Sequence, residues 1–193
     1  MKLNEYLSIT PTPYKLATGR ILISVPFYND PSFNRSVVLL LDYLQDEGAV
    51  GLILNQQSTQ KVNEFSDTCN IDAPVFIGGP VFNKSLFVIH NYNGDSSFQP
   101  IIPDLYLGSN HRLLAFLEHN IIPQIKYRFF LGYSGWEIDQ LEYELENSMW
   151  VIGQVDTPFI FNTPPDQMWC KAVELLGNEY SHWLTFPENL SSN

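Results

Sequence analysis

Apolar residues in the first half of the chain recur in short, nearly continuous runs bounded by turn residues, as expected of strands covered on both faces. RILISV at Arg20 to Val25 is the first, stopped by Pro26 and a turn at Asp30-Pro31. SVVLLLDY (Ser36 to Tyr43) and AVGLILN (Ala49 to Asn55) follow within a few tens of residues. The links between these runs are too short for crossover helices, so the pattern predicts antiparallel neighbours. VFIGGPV (Val75 to Val81) and LFVIH (Leu86 to His90) predict a further pair, parted by Gly78, Gly79 and Pro80. Asn91 to Pro103, rich in Asn, Ser, Gly, Asp and Pro, reads as a mobile loop.

Helical spacing enters in the second half. Asn110 is placed to cap a helix whose Leu113, Leu114, Phe116, Leu117 and Ile121 make one apolar stripe. After a strand at Lys126 to Tyr133, Glu137 to Glu146 predicts an acidic amphipathic helix. Ile138, Leu141 and Leu145 share its apolar face, with Glu137, Asp139, Glu144 and Glu146 elsewhere around the cylinder. WVIGQV (Trp150 to Val155) predicts another strand. A last helix has Thr163 as cap, Gly177 as stop, and Met168, Trp169, Ala172, Val173 and Leu176 toward the core. The expectation is an α+β fold: one domain over 1–193, mostly antiparallel, with a flexible lead-in at 1–18 and a flexible tail at 186–193.

Composition narrows the class. Hydrophobic residues make up 45% and charged residues 16% of the 193, which excludes a disordered chain or a coiled coil. No apolar run reaches the length of a membrane span, and the first residues lack the apolar stretch of a signal peptide. Cys69 and Cys170 form neither a CxxC pair nor a disulfide framework, as suits a reducing compartment. The expected location is the cytoplasm, away from membranes. The formal charge is -11, and from residue 135 onward Lys171 is the one base against ten acids. That balance speaks against direct nucleic-acid binding and offers the acidic C-terminal third as a docking face for a protein partner.

Four features could carry chemistry, each with a structural alternative. Arg35 and Ser36 sit where a turn meets a buried strand. The Arg35 guanidinium could hold a carboxylate or phosphate, or tie its loop down through Asp30 or Asp42. Gly78 and Gly79 could present amides to an anion or simply shape a turn, and no P-loop or dinucleotide fingerprint follows them. His90, at the end of a buried-looking strand, is either a satisfied structural histidine or a base. Arg35, Ser36, Gly78, Gly79 and His90 together would make a site for a small anionic ligand, as a binding module or an enzyme. Ser134 fails as a nucleophile elbow: Gly132 is in place, but Trp136 stands where the second glycine belongs, and Gly132 and Gly135 instead suggest a strand-to-helix turn. His111 and His119 fall on the polar side of their helix, and no metal or cofactor is expected. The four tryptophans read as core, and the NxS triplets at Asn34, Asn83 and Asn189 as chance.

DPSFNRSVVLL, GAVGLILN, GGPV before FVIH, and LGYSGW followed by QLEYEL and Trp150 occur in an order that resembles the YqgE/AlgH family of bacterial proteins. The resemblance runs from about Gly19 to Gly177. It implies a barrel-like or bifurcated sheet surrounded by helices, and a transcriptional regulator of exopolysaccharide synthesis with no established catalysis. The matching positions are Asp30, Pro31, Arg35, Ser36, Asn55, Gly78, Gly79, Pro80, His90, Gly132, Tyr133, Gly135, Trp136, Gln140 and Trp150. In one departure, Gln56 and Gln57 stand where the family pattern has Arg-Pro. These readings converge on a non-enzymatic cytoplasmic protein that regulates through protein contacts.

Overall fold

In the computed structural model the described residues are 12–187 except 29, 45, 66–69, 110 and 120; the side chains of 82–84 and 138 are also not described. The predicted Asn110 cap, Cys69 and Asn189 lie outside them, as do the side chains of Asn83 and Ile138.

Ten strands form one open sheet. They are β1 (Ile21–Ser24), β2 (Val37–Leu44), β3 (Gly48–Ile53), β4 (Gln57–Lys61), β5 (Pro74–Ile77), β6 (Val81–His90), β7 (Gln99–Ile102), β8 (Leu105–Leu107), β9 (Tyr127–Trp136) and β10 (Trp150–Gly153). The main path runs β10-β1-β2-β3-β9-β6-β8-β7. All its pairings are antiparallel, and β5 alone runs parallel to its neighbour β9. Long strand β9 makes the sheet fork. One edge carries β6, while the other is shared, β5 pairing with Phe129 to Leu131 and β3 with Ser134 to Trp136. Of the two shapes that the resemblance implied, this is the bifurcated one, and the sheet does not close.

Alternation explains the continuous apolar runs. Ile21, Ile23, Val37, Leu39 and Leu41 face one core, while Leu22, Val38 and Leu40 face another, so both sides of β1 and β2 are covered. Helices α1 (His111–Glu118), α2 (Ile138–Glu146), α3 (Thr157–Asn162) and α4 (Pro165–Leu176) supply the cover with a final 3-10 helix, Asn178–Thr185. Met168, Trp169, Ala172 and Val173 of α4 lie in the larger core, with Tyr180 and Trp183 beside them. Leu113 and Leu117 of α1 pack on Val75, Val88, Phe129 and Leu131, whereas Ile121 falls after the helix end and is exposed.

Several expectations need correction. The predicted loop at 91–103 contains β7, which pairs with β8 as a hairpin, because Phe98 and Ile101 have an apolar face to bury. Thr163 does not cap α4. It closes α3, and Pro164 precedes α4. Gly132 to Trp136 do not form a turn into a helix; they continue β9. The expected flexible tail is held at its start, since the carbonyls of Phe186 and Pro187 accept hydrogen bonds from Arg35. No helix among the described residues is long and apolar enough to cross a membrane.

Candidate functional site

The most polar arrangement in the interior surrounds Glu144. Its position three residues after Leu141 places it on the buried side of α2, contrary to the outward placement expected from sequence. Trp136 Nε1 and Trp150 Nε1 donate to its Oε2 at 2.9 and 2.7 Å, as does the Tyr28 hydroxyl at 3.0 Å. Gln140 Nε2 donates to Oε1 at 2.9 Å. A buried carboxylate thus has four donors and no cation among the described residues, with the aromatic rings of Phe33, Trp136 and Trp150 packed on one another beside it. Burial, and next the Glu144 charge, push the Tyr28 phenol well above its ordinary pKa and keep it a donor. Three family positions, Trp136, Gln140 and Trp150, are thereby explained as partners of one carboxylate. Asp30 and Pro31 contribute indirectly. Asp30 caps the short turn Pro31–Phe33 by accepting from Ser32 N at 2.8 Å, and that turn delivers Phe33 to the cluster.

Arg35 has a positive φ of 47°, which an L-residue holds only when its surroundings fix it. Asn55 does so, accepting from Val37 N and donating to the Arg35 carbonyl, both at 2.9 Å. The guanidinium crosses to the end of the chain. Its Nη2 donates to Phe186 O at 2.6 Å and Pro187 O at 3.0 Å, and its Cζ lies 4.8 Å from the Trp169 ring centre. Two hydrogen bonds of the guanidinium thus go to backbone carbonyls near the end of the described residues, where sequence suggested Asp30 or Asp42. Arg35→Met is expected to cost about 2 kcal/mol, through two charge-assisted bonds and the ring contact. Chemical denaturation checks the loss, and limited proteolysis should show faster cleavage after Trp183.

Gly78 and Gly79 sit at the crotch of the fork. Gly78 N–H donates to Leu131 O, and its carbonyl accepts from Ile53 N at 2.9 Å and the Ser134 hydroxyl at 3.2 Å. A side chain at Gly78 would run into the Gly132 carbonyl, so both glycines and Ser134 serve strand approach. Ser36 is fully buried, its amide donating to Ser24 Oγ at 2.8 Å. Gln56 Nε2 donates to Ser32 O beside it, and the Gln56 backbone carbonyl accepts from Ile77 N. His90 is at the far end of β6. Val81 pairs with Tyr133 and His90 with Tyr127, a separation of about 20 Å along β9. His90 Nδ1 accepts from Tyr92 N and its Nε2 faces Gly108 O, both at 3.2 Å, while burial lowers its pKa. The structure thus sets Arg35, Ser36 and the glycines around neighbouring strand ends and leaves His90 apart.

Two further features lie outside that set. On one face of the sheet, Asp42 pairs with Val50 and Val50 with Gly135, so all three point the same way. Gly48 and Gly135 leave the floor without side chains, giving a groove of about 540 Å3 walled by Tyr133 and rimmed by Glu47, Glu137 and Gln140. Leu44 and Val50 are 48% and 36% exposed there. The second is Arg128, only 9% exposed on the inward phase of β9, which the sequence reading overlooked although an arginine two residues before core Phe130 was the signal. A cavity of about 680 Å3 between Gly19, Pro103 and Asp156 contains none of the predicted site residues.

The forked sheet and the tryptophan-held carboxylate define a class of mixed α+β protein. A family model described as AlgH-like, DUF179, matches residues 21–181, and the chain belongs to this family. It is 39% identical to a UPF0301 protein of Bacteroides thetaiotaomicron over 176 residues, 88% of each chain. A UPF0301 protein of Chlorobaculum tepidum is 34% identical over 96% of both. The solution structure of the AlgH protein from Pseudomonas aeruginosa superposes with a TM-score of 0.71 at 25% identity, covering 93% of this chain and 98% of that one. A Corynebacterium diphtheriae protein of 20% identity shares the fold, with a TM-score of 0.75 over 96% of this chain and all of that one.

Proposed function

We propose that this AlgH-like protein is a non-enzymatic interaction protein that receives a basic, partly apolar segment of a partner protein on the acidic sheet face around Val50 and Gly135. The observation that carries the reading is the groove itself. Its floor is bare backbone at Gly48 and Gly135, its apolar contacts are Leu44 and Val50, and Asp42, Glu47 and Glu137 surround it with no cation among the described lining residues. Apolar anchors inside a ring of one charge sign suit a segment with the opposite charge pattern. Helix α2 extends the same sign, with Asp139, Glu142 and Glu146 exposed beside Tyr143. A regulatory role in the cytoplasm would then run through protein contact, since this face repels phosphates.

A titration with a short peptide alternating Lys and Leu, followed by amide chemical shifts of the full chain, tests the reading. Shifts centred on Val50 and Gly135, and affinity falling about tenfold or more in Glu47→Lys/Glu137→Lys, are expected. Absence of peptide binding, or salt-sensitive binding of duplex DNA in its place, would refute it.

A further inference from the structure

Arg128 is a buried cation with no counter-ion among the described residues. Its Nη1 and Nη2 each donate at 3.2 Å, to Leu54 O and Thr163 O, and its Cζ lies 4.9 Å from the Phe76 ring centre. Those two bonds use two of the five N–H donors of a guanidinium, and no carboxylate among the described residues pairs with it. Burial brings its pKa down to about 10, so it keeps its proton at neutral pH. A positive charge held this deep is costly unless something neutralises it.

The side chain also lines a cavity of about 410 Å3, between the β4–β5 edge, the start of β9 and the start of α4. The walls there are Phe76, Phe129, Tyr127, Pro74 and Pro165, with the Gln57 amide at the rim. Asp72 also borders it, but Lys61 Nζ holds that carboxylate at 2.6 Å, toward solvent. An open pocket of this size, mainly apolar in its lining and with one fixed cation, has the make-up of a small-molecule site.

We propose that this cavity binds a small organic carboxylate with an apolar body, the carboxylate on the free edge of the Arg128 guanidinium and the body against Phe76 and Pro165. A planar fork suits a carboxylate's two oxygens, and aromatic walls favour an apolar body over a bare inorganic anion. The site is separate from the acidic groove. Its cation lies near Tyr127 at the start of β9, and the groove lies at the Gly135 end.

The probe is phenylacetate, titrated into the full chain by calorimetry and amide shifts, with 2-phenylethanol as the neutral counterpart and inorganic phosphate as the bare anion. Expected are saturable one-to-one binding, shifts at Phe76, Tyr127 and Phe129, and an affinity at least about tenfold above either control. Arg128→Lys should weaken phenylacetate about tenfold or more, since the ammonium loses the fork. Gln57→Trp, an exposed change at the rim, should block entry even if the arginine variant fails to fold. Glu47→Lys/Glu137→Lys should leave this binding unchanged, which separates its fate from that of the groove. Absence of saturable binding, equal binding of phenylethanol or phosphate, or full affinity in Gln57→Trp would overturn the proposal.

Discussion

Glu144→Leu is expected to lower stability by about 4 to 5 kcal/mol, or roughly 10 to 15 °C in melting temperature. The side chains are similar in size, so the loss comes from hydrogen bonding. Leucine would strand two buried indole N–H groups and deprive the half-buried Tyr28 hydroxyl of its acceptor, while the exposed Gln140 amide can turn to water. Tyr28, Trp136 and Trp150 lie within a packed aromatic cluster and cannot swing out to water without opening it. Glu144→Gln keeps an acceptor oxygen and should lose about half as much. Urea denaturation followed by tryptophan fluorescence measures both. A loss under about 1 kcal/mol for Glu144→Leu would mean that water enters and satisfies the donors.

The second large effect is expected at the fork. Gly79 has φ of +152°, and a β-carbon there would collide with the Ser134 hydroxyl and the Tyr133 to Ser134 peptide. Gly79→Ala should cost about 3 kcal/mol or more, since the obstacle is backbone of the neighbouring strand and cannot rotate away. Gly135→Ala provides the contrast. A β-carbon at that position meets only the Tyr133 ring, at 3.2 Å, so its cost should stay below about 1 kcal/mol. Thermal unfolding of the two variants side by side checks the difference. Equal losses would show that the motif glycines act through chain flexibility and not through the fork.

Strands β1, β2, β3 and β5 were legible because local composition alone marks them: unbroken apolar runs ended by Pro, Gly or an acidic turn. What escaped depended on neighbours distant in sequence. β4, QSTQK, has no apolar face, and its strand conformation comes from pairing with β5. Gly132 to Trp136 looked like a turn because two glycines weaken any strand pattern. They remain extended because β3 and β6 flank them, and the glycines admit the β5 loop. Glu144 was misplaced and Arg128 overlooked for a related reason. Charged residues are read as exposed by default, and only the donors on Trp136 and Trp150, or the carbonyls of Leu54 and Thr163, make their burial tolerable. Of the candidate site, the carbonyl partners of Arg35, 151 and 152 positions away, carry no sequence signature.

The shared edge of β9 also sets an order of events during synthesis. A growing chain that has passed residue 90 holds β1 to β6, yet β3, β5 and β6 all lack the strand that joins them. Three hydrogen-bonding edges therefore stay open until Tyr127 to Trp136 leaves the ribosome, and one insertion then closes them together. Assembly hinges on that late event, and a nascent chain stalled before it exposes sticky edges to its neighbours. The polar residues of β4 and the long bulge in β6 between Val81 and Leu86 suit that interval, since both discourage pairing with the wrong strand.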